Sequence, residues 1–152
     1  MYKIDSPTSL NMFLGRNPKL QNKIIAGRFK MQNCGHCINS QPIWDNMVNS
    51  AMQQYTIDPN TMFTEIDSQL ADDFISRHEL ITADKQPFEV QGYPTHVFIV
   101  RGIVFPHESD SHEKTIKSMM NTLVKHKHLK RKQKKSTKSK SKTKKLKKNI
   151  KT

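Results

Sequence analysis

The chain has 152 residues, enough for one domain with a core and too few for two. Its net charge of +13 is unevenly placed: residues 125–152 hold 15 Lys and Arg and no acid, against 11 basic and 13 acidic residues in 1–124. No stretch approaches the ~20 apolar residues of a membrane span, and the opening Met1-Tyr2-Lys3-Ile4-Asp5-Ser6-Pro7 is not a secretory signal.

Residues 2–4 read as a short strand and 9–14 as a short helix, with a turn at 15–18. Residues 23–29 form a strand, with Ile24, Ile25 and Phe29 supplying β-type side chains. A Cys-x-x-Cys motif follows. Trp44, Met47, Val48, Ala51, Met52 and Tyr55 then keep helical spacing and mark one apolar face. Asp58-Pro59-Asn60 turns the chain into a strand at 62–67, and 70–78 reads as a helix. Residues 79–91 are less regular, broken by Pro87. Beyond Tyr93-Pro94, residues 96–100 are a strand, Arg101-Gly102 a hairpin turn and 103–105 its partner. Ile116, Met119, Met120, Leu123 and Val124 mark a last helix. This alternation predicts an α/β sandwich around a central mixed sheet.

Cys34-Gly35-His36-Cys37 lies between a strand and a helix. Cys34 therefore falls near a helix N-terminus, where unpaired N–H groups and the helix dipole favour an anion. Its thiol should ionise below the free value of about 8.5. Cys34 is expected to be the exposed nucleophile and Cys37, one turn inside, to resolve the mixed disulfide. His36 can stabilise the thiolate further, and Gly35 allows a substrate backbone to approach. No cofactor is needed beyond the redox-active disulfide Cys34–Cys37. Zinc is the competing use of such a pair, but it requires two more ligands, and His78, His96, His107 and His112 show no second paired spacing. No metal is expected. A structural disulfide closing so short a loop would restrain little chain entropy.

The motif resembles that of protein disulfide isomerase domains, within the thioredoxin superfamily. Pro42, five residues after Cys37, matches the proline that kinks that family's active-site helix, and Trp44 follows it closely. Glu65-Ile66-Asp67 looks like the family's third strand. Gly92-Tyr93-Pro94-Thr95 resembles its glycine-aromatic-proline-threonine segment, whose proline is cis. The resemblance covers about residues 1–124 and implies a thioredoxin-like three-layer sandwich that exchanges disulfides with protein thiols. It also implies that Pro94 lies beside the cysteines and that Tyr93, Pro94 and Thr95 receive an extended substrate. Two positions depart from the pattern. Arg28 stands where relatives carry a buried acid that accepts the second cysteine's proton, and Asn33 stands where they carry an aromatic. Arg28 directed at the site would lower a thiol's pKa but could not relay its proton; the alternative is that it snorkels to solvent. If Arg28 slows turnover, the second reading is a thioredoxin-fold binding or scaffolding module.

Residues 125–152 are expected to be a disordered, Lys-rich tail, because like charges repel and little apolar surface can be buried. It would hold nucleic acid or another anionic surface through non-specific, salt-sensitive contacts. A cytoplasmic or nuclear protein is expected. The abundance of Lys, Asn, Ile and Met, which have AT-rich codons, fits a parasite or a large DNA virus, and packaging in a virion is consistent with the latter.

Overall fold

The structure is a computed structural model and describes residues 1–133. In chain order the elements are β1 (Tyr2–Ile4), α1 (Pro7–Arg16), β2 (Ile24–Lys30), α2 (Gly35–Gln54), β3 (Tyr55–Ile57), β4 (Thr61–Asp67), α3 (Ser68–Arg77), β5 (Ile81–Thr82), β6 (Thr95–Val100), β7 (Ile103–Pro106), α4 (His112–Lys125) and β8 (Leu129–Arg131). Their ends follow local chemistry. Ser6 and Ser9 close a reciprocal capping box on α1, with Pro7 opening the helix. Asp67 caps α3 and Ser111 caps α4 through side-chain oxygens.

Six strands form one sheet in the order β1-β4-β2-β6-β7-β5. β1, β4 and β2 are parallel, β6 runs against β2, and β7 runs against β6. Alternation along β2 separates two cores. Ile25 and Phe29 point to one face and pack with Leu10 and Phe13 of α1 and Leu70 and Phe74 of α3. Ala26 points to the other, where Trp44, Met47 and Val48 of α2 meet Ile116, Met119 and Leu123 of α4. The result is the expected sandwich of helices, mixed sheet and helices.

Two expectations need correction. Residues 125–131 are not part of a disordered tail. Lys125 ends α4, and β8 pairs antiparallel with β3. Leu129 is buried in the second core, while Lys130 and Arg131 keep their side chains in solvent. Residues 134–152, the rest of the expected tail, lie outside the described part. Tyr55 starts β3 instead of continuing the helix, and Met52 and Val124 are exposed. Within 79–91, β5 adds to the sheet edge beside β7, with Leu80 and Phe88 buried.

Candidate redox site

Cys34 is placed by the junction of β2 with α2. Asn33 takes a left-handed backbone, φ 61°, a conformation that Asn tolerates better than a bulky aromatic. The chain then turns so that Cys34 is the N-cap of the 20-residue helix α2. Its Sγ accepts the backbone N–H of Cys37 at 3.3 Å, the place a serine or aspartate oxygen would usually take. The Cys34 thiol is held below its ordinary range. The side chain of Cys37 donates to it, the N–H groups of Cys37 and His36 add to this, and the Arg28 cation contributes less. Cys37 is buried, and loss of water pushes its thiol the other way. Both cysteines are free thiols in this structure.

The cis Tyr93-Pro94 bond lies beside the pair. The Cys34 thiol points its S–H at the Tyr93 carbonyl, 3.6 Å away. Thr95 opens β6, and its hydroxyl donates to the carbonyl of Gly92. A side chain added at Gly35 would meet nothing within 4 Å, so the approach to Cys34 over that residue is open. The structure thus sets Gly35 beside Cys34 at the start of α2 and brings the Tyr93 carbonyl to its Sγ, with Pro94 and Thr95 following in the chain. On the other side, Cys37 lines a cleft of about 610 Å³ with Met31, Asn33, Ile38, Gln41 and Pro42. A cleft of this size gives water a route to the second thiol.

Arg28 does not snorkel. β2 is a central strand, and Arg28 is 0% exposed. Its guanidinium donates to the Cys37 carbonyl at 2.7 Å, to Ser40 Oγ at 2.6 Å and to Gln41 Oε1 at 2.7 Å. Glu65, 1% exposed, faces it across the β2–β4 register at 3.6 Å. Gln41 Nε2 donates to both Glu65 carboxylate oxygens, at 2.9 and 3.2 Å, and Lys30 lies 3.4 Å away. Burial lowers the Arg28 pKa while Glu65 opposes the shift; a guanidinium nonetheless keeps its proton in a protein. A fixed cation therefore lies under the first turns of α2, tied by hydrogen bonds to the Cys37 carbonyl, Ser40 and Gln41.

His36 is exposed, and its ring packs on His112, the first residue of α4, with centroids 5.5 Å apart. His112 in turn meets buried His96 at 5.9 Å, and His96 meets Trp44 at 5.9 Å. His96 pairs with Arg28 across β2 and β6, so Glu65, Arg28 and His96 form one polar row across three strands. Of the four histidines scattered in the sequence, the fold brings two, His96 and His112, together beside His36. Among the described residues no group of three or more His, Cys, Asp or Glu is arranged to hold a metal ion.

Sequence reasoning missed Ser40, Gln41, His96 and His112. Ser40 and Gln41 had a signal: they lie three and four residues after Cys37, on its helix face. His96 and His112 had none, because only strand register and the packing of α4 bring them in.

No protein-family model matches the sequence, and no curated protein matches it. Solved structures do. Deadhead, the germline-specific thioredoxin of Drosophila melanogaster, aligns with a TM-score of 0.53 at 15% identity, over 81% of this chain and 99% of its own. The first thioredoxin domain of mouse protein disulfide-isomerase A4 aligns at 0.51 and 18%, over 79% of this chain and 73% of its own. Thioredoxin NaTrxh of Nicotiana alata aligns at 0.50 and 23%, over 82% and 92%. A Cys-x-x-Cys pair at the start of a helix in this fold supports thiol–disulfide exchange in general. With the strand order and the two helical layers, these likenesses establish that the chain has the thioredoxin fold.

Proposed function

We propose that the protein is a thiol–disulfide oxidoreductase acting on protein substrates through Cys34 and Cys37. The observation that carries this reading is the placement of the two thiols: Cys34 caps α2 with its Sγ accepting the Cys37 N–H, which favours its thiolate, and Cys37 is buried one turn inside, which disfavours its own. That split suits an attacking and a resolving cysteine. Cys34 thiolate attacks a substrate disulfide, forming one S–S bond and releasing one substrate thiolate. Cys37 loses its proton to water in its cleft and attacks the Cys34 sulfur. The second substrate thiolate leaves. The substrate has gained two electrons and the pair has become a disulfide; the reverse sequence oxidises a substrate dithiol.

The direction follows from what stabilises the thiolate. The helix N-terminus, the hydrogen bonds to Sγ and the Arg28 cation all favour the reduced form, which makes the disulfide a better oxidant. This supports a protein disulfide isomerase-like poise, nearer about −180 mV than thioredoxin's about −270 mV.

The test is a Cys37→Ser variant, expected to accumulate mixed disulfides with protein partners, beside an equilibrium titration of the parent with glutathione. At pH 7, Cys34 should alkylate more than about tenfold faster than Cys37. Absence of adducts together with equal alkylation rates rejects the reading.

A second reading, a binding module with slow turnover, is favoured by one observation. The position relatives give to a proton-accepting acid holds Arg28, and Glu65 is already engaged by Gln41, Lys30 and Arg28. Dithiol-driven reduction of a model disulfide separates the two by rate.

In either case the basic segment is assigned to holding a polyanion, in keeping with a cytoplasmic or nuclear site of action. Deleting residues 134–152, which carry ten Lys, should abolish low-salt retention on nucleic acid and leave exchange intact. Unchanged retention rejects that assignment.

A further inference from the structure

The end of the sheet opposite Cys34 carries a second cleft. Lys23 precedes β2, Asn60 precedes β4, Arg101 lies in the β6–β7 hairpin and His128 precedes β8. With Asn22 and Phe105 these residues wall a hollow of about 540 Å³. It is separated from the cysteines by the length of β2, roughly 20 Å.

Three features of this cleft point to a ligand. Its charge is basic: among the described residues neither Lys23 nor Arg101 forms an ion pair. The one acid in its wall, Asp58, has Oδ1 occupied by the N–H of Asn60 at 2.9 Å. Arg101 also lines a neighbouring hollow together with Lys19 and Arg77, whose wall includes one acid, Glu79. Second, an aromatic ring is left open. Phe105 is 42% exposed although its cross-strand partner Phe98 is 9% exposed. Third, Arg101 occupies a turn it fits poorly. Arg101 and Gly102 have φ of 54° and 80°, a two-residue hairpin where Asn is the usual first residue. A departure from local preference is expected where a side chain serves function.

From the cleft the chain runs along β3 to its opposite end, at Tyr55. β8 leads directly from His128, and the backbone N–H of Lys132 bonds to the carbonyl of Gln54 at 2.8 Å.

We infer that this cleft binds single-stranded nucleic acid. Phe105 stacks on a base, Lys23 and Arg101 contact phosphates, and the side-chain amides of Asn22 and Asn60 meet base edges. An exposed ring beside cations and amides stacks on a base freed from its helix, which separates a single strand from a duplex. A membrane surface would call for a broad apolar face instead. This extends the polyanion reading of the basic segment and is independent of disulfide exchange.

The experiment is fluorescence anisotropy of the full chain with a labelled oligothymidylate of about 16 nucleotides. It is repeated from about 50 to about 200 mM salt, with the matching duplex, heparin and phosphatidylserine vesicles as competitors. Phe105→Ala should weaken single-strand binding about tenfold without changing the salt slope, and Phe105→Trp should restore it. Lys23→Gln and Arg101→Asn, the latter suited to the turn, should each reduce the slope by about 0.7. Exchange activity should stay unchanged in all four variants. Phe105→Ala binding like the parent overturns the inference, as does competition by duplex, heparin or vesicles as strong as by the single strand. Steep salt dependence with an indifferent Phe105 removes the cleft while leaving the basic segment's role standing.

Discussion

At the Cys34 end of β2 the charged groups are buried and answer one another; at the Lys23 end they reach solvent and are mostly of one sign. Arg28 is held by four partners, each with a stated geometry. Arg101 is exposed and Lys23 half-buried, and among the described residues neither forms an ion pair. A buried charge acts on its neighbours through a low dielectric and keeps one position. An exposed charge acts at a distance, and salt screens it over about 10 Å. The first arrangement can set the chemistry of a fixed atom. The second can gather a charged partner whose exact position does not matter.

The comparison breaks if the buried row turns out to be energetically idle. Arg28→Met should cost about 3–5 kcal/mol in urea unfolding, because Glu65 is left buried opposite an apolar side chain. Combining it with Glu65→Leu should recover most of the loss. The single variant should also raise the pH at which Cys34 alkylates, since a cation that favours the thiolate is gone. A single-variant cost below about 1 kcal/mol would make the buried network no different from a surface one.

A smaller effect is expected from the third member of the row. Burial and the nearby Arg28 cation hold His96 at a pKa lowered from 6.5 to about 3. The unfolded chain therefore takes up this proton first on acidification. His96 contributes its full stability above pH 6.5 and loses it as the pH falls toward 3, by about 1.4 kcal/mol per pH unit in that window. His96→Phe should flatten the curve of urea midpoint against pH over the same range. Parallel curves for parent and variant would remove His96 from the row's energetics.

The smallest effect belongs to an exposed pair. Lys117 and Glu113 approach to 2.9 Å on the surface of α4. Lys117→Ala should leave the urea midpoint unchanged within error. A clear loss there would blur the distinction between the two kinds of charge.

Much of this was legible in the sequence. β-type side chains located β2, helical spacing located α2, turn residues bracketed β4 and the β6–β7 hairpin, and Cys34, Cys37 and Tyr93-Pro94 marked the site. What stayed hidden has a common cause. Arg28 could be placed only once β2 was known to be central, since the same residue on an edge strand would reach solvent. Glu65 and His96 join it by register, and a shift of one residue would send them to the opposite face. β8 escaped notice because Leu129 is a single apolar residue in a basic run; its burial depends on β3, more than seventy residues earlier. β5 is only two residues long and takes its order from β7.

The N-cap position of Cys34 ties the state of one sulfur to the fraying of a helix. While reduced, the sulfur closes the first turn of α2 by accepting the N–H of Cys37. Once joined to another sulfur it has lost its charge and is a weaker acceptor. Hydrogen exchange at the Cys37 amide should then quicken, so that the backbone itself reports whether the protein carries electrons to give.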